Sequence, residues 1–119
     1  MAKEFTIYHN PKCSKSRKTL ELLQAANIQL TVIEYLRNPP DVATLKSILS
    51  KLGISARDLI RSKEALFSEL ALDDASLDDE TLLTAMVDNP ILIERPIVVC
   101  EGQAVIGRPP ENINSLLNK

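Results

Sequence analysis

EFTIYHNPKCSKSRKTLELLQAANIQLTVIEY, residues 4–35, decides how the chain is built. Its opening, EFTIYH (4–9), is short, β-branched and aromatic and stops at Asn10-Pro11, the pattern of a buried strand. From Ser14 to about Ala26, Leu20, Leu23 and Ala26 recur at helical spacing with charges on the other face, and Asn27 is placed to end that helix. LTVIEY (30–35) is strand-like again. Strand, helix, strand within about 30 residues is a βαβ unit, whose strands run parallel with a right-handed crossover.

Beyond this unit the signals change character. Pro39-Pro40-Asp41 ends one element and caps a helix that carries Leu45, Ile48, Leu49 and Leu52 on one face and stops at Gly53. Ser55 and Asp58 are spaced to cap a short helix through RDLI; a second short piece follows around EALFSEL, and another helix runs from Asp78 to Asp88 before Asn89-Pro90. Residues 41–89 therefore read as helical, with no strand signal. PIVVC (96–100) and QAVIG (103–107), separated by Glu101-Gly102, read as an antiparallel hairpin, and Pro109-Pro110 open a last helix with INSLL as its apolar face. The sum is an α/β chain with a thioredoxin-like, four-stranded mixed sheet, βαβ then ββα, and a helical insertion at about 41–89 between the halves.

At 119 residues the chain fits one domain, 1–119. Aromatic residues are only 3% of it, which leaves the core to Leu, Ile, Val and Ala. No stretch is apolar enough to span a membrane, and no signal-peptide pattern opens the sequence, so a cytoplasmic location is expected. Net charge is −2 but unevenly spread: Lys12, Lys15, Arg17 and Lys18 crowd one segment without an acid, whereas Glu64–Asp88 holds eight acids and no Lys or Arg. The acidic run reads as a solvated face. Three scattered arginines beyond position 60 make no basic stripe, so no nucleic-acid partner is expected. Cys13 and Cys100 lie far apart, with no Cys or His spacing suited to a metal.

The chemistry concentrates at Cys13. A cysteine between a strand and the start of a helix meets free N–H groups and the positive end of the helix dipole, which favour a thiolate. Lys12, Lys15, Arg17 and Lys18 add positive charge around it. A dithiol motif needs a second cysteine three positions on, where Ser16 stands, so no resolving thiol comes from this turn. Cys100 ends an apolar run and reads as a core residue. A phosphatase loop is also excluded, because the position six after Cys13 is Thr19 instead of arginine. An adduct on Cys13 must then be removed by an external thiol. His9 either supports the thiolate as an imidazolium or, when neutral, hydrogen-bonds the loop.

HNPKCSKSR (9–17), LIRSKE (59–64), NPILIERPIVV (89–99) and GRPPE (107–111) together resemble the arsenate reductases that work with glutathione and glutaredoxin, in that family's order and spacing. The resemblance covers essentially the whole chain. It implies a thioredoxin-like fold and reduction of arsenate to arsenite, with Cys13 as nucleophile. By the same match, Arg61, Arg95 and Arg108 hold the arsenic oxyanion, and His9, Ser16 and Arg17 support the thiolate. Guanidinium groups suit a tetrahedral dianion because their paired donors match its oxygens. A cis peptide is expected at Arg95-Pro96, since a cis-proline commonly precedes the strand facing the active cysteine in thioredoxin-like folds.

The resemblance implies no bound cofactor or metal, glutathione as the reducing co-substrate, arsenate and glutaredoxin as the other partners, and a monomer. Two other readings share the fold. One is an Spx-type regulator that binds RNA polymerase, although such proteins typically carry the Cys-x-x-Cys that Ser16 removes here. The other is a thiol reductase acting on a different substrate, such as a glutathione mixed disulfide.

Overall fold

In the computed structural model, which describes residues 4–117, the opening stretch forms strand β1 (Glu4–His9), helix α1 (Ser14–Ala25) and strand β2 (Gln29–Glu34). β1 and β2 are parallel, from Glu4 opposite Gln29 to His9 opposite Glu34, so the βαβ unit is present. Its second strand begins at Gln29 instead of Leu30, and Tyr35 lies just past the end, fully buried. β3 (Ile97–Cys100) and β4 (Gln103–Ile106) make the expected antiparallel hairpin, and β3 pairs antiparallel with β1. The sheet order is β2-β1-β3-β4, a mixed four-stranded sheet of the thioredoxin-like kind.

Register explains the core of this sheet. Phe5 and Ile7 sit opposite Cys100 and Val98 on one face, and Leu23 of α1, Ile113 and Leu116 close over them. His9 continues the same alternation, so it too falls on the face that α1 covers, at the end of β1 where the chain turns toward that helix. The closing element differs from the single helix that INSLL suggested: a 3-10 turn over Pro110–Ile113 leads into a short helix, Asn114–Leu117. Pro110 lacks the N–H that a first turn leaves unused, which suits it to open that turn.

The chain groups into two units, one formed by the segments up to Asn38 and from Arg95 onward, the other by Pro39–Glu94. The second unit is built from helices α2 (Val42–Leu52), α3 (Ala56–Leu59), α4 (Ala65–Glu69) and α5 (Asp79–Asp88). Their ends follow the sequence signals. Asp41 accepts from the Thr44 N–H at 2.8 Å, Gly53 takes the left-handed φ of 71° that stops α2, and Ser55 and Asp58 form a reciprocal capping box. Several acids of the Glu64–Asp88 run have local work of this kind: Asp78 caps α5 through Thr81 at 2.9 Å, and Asp74 accepts from Ser76 at 2.9 Å. Arg57 donates to the carbonyls of Leu72 and Asp74, holding that loop. Beyond Asn89 the chain forms a 3-10 turn, Pro90–Leu92, and Ile93 bridges antiparallel to Ile60. That bridge, framed by Arg61 N–H to Leu92 O at 2.7 Å and Glu94 N–H to Leu59 O at 3.0 Å, has no local sequence signal, because each half is too short to show a period.

Candidate active site

Cys13 stands where a helix-capping oxygen would normally be. It is the N-cap of α1, with extended backbone at φ −97° and ψ 123°. The Asn10-Pro11-Lys12 turn delivers it there: the Cys13 N–H donates to Asn10 O at 3.0 Å, and the Lys12 N–H donates to Asn10 Oδ1 at 3.0 Å. The first N–H groups of a helix have no partner within it; no side-chain hydrogen bond caps α1 at Cys13, and the backbone of Ser16 and Lys15 favours the Cys13 thiolate. The side chain is part-exposed and in no disulfide, so an incoming substrate can reach it.

Burial is the largest single influence on the Cys13 thiol and acts against ionisation. The Ser16 N–H, the charge of Arg95, the Lys15 N–H and a hydrogen bond from the Arg95 guanidinium act the other way, and together they hold the thiol below its ordinary value. The cation that matters is therefore Arg95, brought in at the start of β3. Lys12, Lys15, Arg17 and Lys18, which surround Cys13 in the sequence and were expected to supply the charge, are all exposed. Solvent and salt screen such charges strongly.

His9 and Ser16 meet inside the protein. His9 Nδ1 lies 2.7 Å from Ser16 Oγ, which also accepts from the Asn10 N–H at 3.0 Å. Both side chains are buried. Burial lowers the His9 pKa, Glu34 across the strand pair raises it, and Arg17 lowers it again; the net direction is down. Of the two roles open to His9, the structure thus favours the neutral ring that hydrogen-bonds the loop. Arg17 reaches back to the Pro11 carbonyl at 2.9 Å, which ties the first turn of α1 to the loop before it. In this structure it ties down the loop and lowers the His9 pKa.

The three arginines are placed differently. Arg95 acts directly on Cys13, and the peptide joining it to Pro96 is cis, as expected. Arg108 is exposed on the loop after β4; its peptide to Pro109 is also cis, which the sequence reading did not anticipate. Gly107, the residue before it, donates its N–H to Pro96 O at 2.9 Å, so the loops bearing Arg95 and Arg108 are joined at their bases. Arg61 belongs to the helical unit, where its guanidinium pairs with Glu64 Oε1 at 2.8 Å and donates to Ile91 O at 3.3 Å.

Cys100 pairs with Phe5 at the start of β1, whereas Cys13 follows the end of that strand. It is buried in the core as expected, at the opposite end of the sheet from Cys13. Sequence reasoning passed over Asn10, Glu64, Thr19 and Gly107. Asn10-Pro11 was read only as a strand terminator, although an Asx residue before such a turn also signals a side-chain-capped loop. Among the described residues, no group of three or more His, Cys, Asp or Glu is arranged to hold a metal ion, and no helix is long and apolar enough to cross a membrane.

The chain has relatives among known proteins along almost its whole length. The sequence model of the ArsC family matches residues 8–116. The chain is 56% identical over 114 residues to the uncharacterized protein YfgD of Escherichia coli K12, covering 95% of this chain and 96% of that one. It is 50% identical over 115 residues to an arsenate reductase of Neisseria meningitidis serogroup B, covering 96% and 98% of the two chains. Among solved structures, an arsenate reductase from Vibrio cholerae superposes with a TM-score of 0.95 at 51% identity, covering 98% of this chain and all of that one.

Proposed function

Because the chain belongs to the ArsC family, we propose that it reduces arsenate to arsenite, with glutathione as reductant and glutaredoxin as the protein that restores it. The observation that carries this reading is the single thiol at the start of α1, held below its ordinary pKa by backbone N–H groups and by Arg95. The Cys13 thiolate attacks arsenic; an S–As bond forms and an As–O bond breaks, with the oxygen leaving as water after taking a proton. Arg95 and Arg108 hold the oxyanion while charge shifts between its oxygens. Arg61 is assigned to the same task on the family motif. Its present partner, Glu64, is a carboxylate, the kind of anion that a guanidinium exchanges for another.

Glutathione thiolate then attacks the Cys13 sulfur. The S–As electron pair stays with arsenic, which falls from the +5 to the +3 state and departs as arsenite, while Cys13 and glutathione are left as a mixed disulfide. Glutaredoxin thiolate breaks that disulfide and frees Cys13. External thiols are required because Ser16 stands where a dithiol enzyme has its second cysteine and Cys100 sits at the far end of the sheet. In this reading the chain acts in the cytoplasm as a monomer, without a bound cofactor.

The test is arsenite formation with glutathione and glutaredoxin, each omitted in turn. Wild type and Cys100→Ser are expected to be active only with both thiols, Cys13→Ser inactive, and Arg61→Ala active with a raised KM for arsenate. Wild type that forms no arsenite above the thiol background would remove the activity while leaving the family membership intact. Turnover without glutaredoxin would instead reject its assigned role.

A further inference from the structure

Thr19 lies wholly buried in α1, and its surroundings join three segments of one unit. Its hydroxyl donates to Lys15 O at 2.8 Å and stands 3.4 Å from Gly107 O. The approach of Gly107 leaves no room for a side chain: a Cβ there would sit 2.7 Å from Thr19 Oγ1, 2.9 Å from Pro96 Cγ and 3.0 Å from Thr19 Cγ2. The backbone of Gly107 is not in the left-handed region, so space alone requires glycine at this position.

Each of these segments carries a residue of the candidate site. Pro96 follows Arg95, Gly107 precedes Arg108, and Thr19 belongs to the helix that Cys13 starts. The carbonyl that Thr19 grips has a particular partner. It is one end of the Lys15–Ser16 peptide, and the other end is the Ser16 N–H in the first turn after Cys13, a group that favours the Cys13 thiolate. A hydrogen bond to the carbonyl end of an amide polarises the group and strengthens donation from its N–H end.

We infer that Thr19 is a positioning residue for Cys13: its hydroxyl orients the Lys15–Ser16 peptide toward the sulfur, and its contact with Gly107 sets α1 against the loops that carry Arg95 and Arg108. The path from the Thr19 hydroxyl to the Ser16 N–H runs through one peptide unit. Valine has the shape of threonine without the hydroxyl, and serine has the hydroxyl without the methyl, so the two substitutions separate hydrogen bonding from packing.

The inference rests on Cys13 acting as a thiolate, and the experiment keeps the two claims apart. The measurement is the rate of Cys13 alkylation by iodoacetamide against pH, with the modified residue located by mass spectrometry, in wild type, Thr19→Val, Thr19→Ser, Gly107→Ala and Arg95→Ala. Below the wild-type midpoint, Thr19→Val should react about threefold more slowly, the order expected of one hydrogen bond, while Thr19→Ser follows wild type. Gly107→Ala should also slow the reaction, because its Cβ would force Thr19 and Pro96 to shift. A Thr19→Val protein with a native circular dichroism spectrum and a wild-type pH profile overturns the inference, whatever Gly107→Ala does. If Arg95→Ala shifts the profile and Thr19→Val does not, the positioning role alone falls; if neither shifts it, the thiolate reading falls with it.

Discussion

Burial pushes the Cys13 thiol toward its neutral form, and two backbone N–H groups and one guanidinium pull it back. Removing the guanidinium leaves burial opposed only by the helix start, so Arg95→Ala should move the alkylation midpoint of Cys13 up toward the ordinary 9.0. Arg95→Lys should recover part of the difference, since lysine keeps the charge but loses the planar fork. His9 titrates with consequences for stability. Its folded pKa lies below the ordinary 6.5, so the unfolded chain binds a proton more readily than the folded one. The contribution of the neutral ring is complete above 6.5 and is lost as pH falls through the lowered folded value. Urea midpoints measured between pH 7 and 5 should therefore decline in wild type, and the decline should be shallower in His9→Gln, which cannot titrate.

Elements end where local chemistry ends them, and here the sequence was most legible. Asp41, Gly53 and Ser55 with Asp58 were each readable as a cap, and each is one; Asp78, readable only as the start of a helix, turns out to cap it. Gly53 at φ 71° meets nothing within 4 Å of a built Cβ, so Gly53→Ala is a nearly pure backbone substitution. It should cost about 1 kcal/mol in urea unfolding, the strain of a left-handed L-residue. The β3–β4 turn was legible in place but not in conformation. Glu101-Gly102 suggests that glycine takes the left-handed position, yet Glu101 has φ 56° and Gly102 lies outside that region. The Ile60–Ile93 bridge was illegible altogether, because its two partners are far apart in sequence and neither forms a strand.

At the scale of the molecule, the unit that carries Cys13 is assembled from both ends of the chain. The antiparallel pairing of β3 with β1 sets opposite fates for the two cysteines: it brings the start of β3, and Arg95 before it, to the end of β1 near Cys13, and it sends Cys100 to the other end. Cys100→Ser should accordingly leave the Cys13 alkylation profile unchanged while lowering the unfolding free energy by about 1–2 kcal/mol, because a hydroxyl replaces an apolar thiol in the core beside Phe5 and Leu23. A Cys100→Ser protein with an altered Cys13 profile would contradict this separation of the two thiols.

What the sequence by itself determined was everything carried by periodicity and caps: the βαβ order, the hairpin, the helical stretch between them, and a cysteine at a helix start with Ser16 where a second thiol would stand. Those features depend on neighbours a few residues apart. The tertiary structure alone decided which charge acts on Cys13, because Coulomb attraction follows distance and solvent exposure instead of chain order. The lysines beside Cys13 in the sequence point into water, and Arg95, from the far part of the chain, reaches the sulfur. The buried seat of Thr19 against Gly107 was decided in the same way, by two segments that meet only once the sheet has closed over its core.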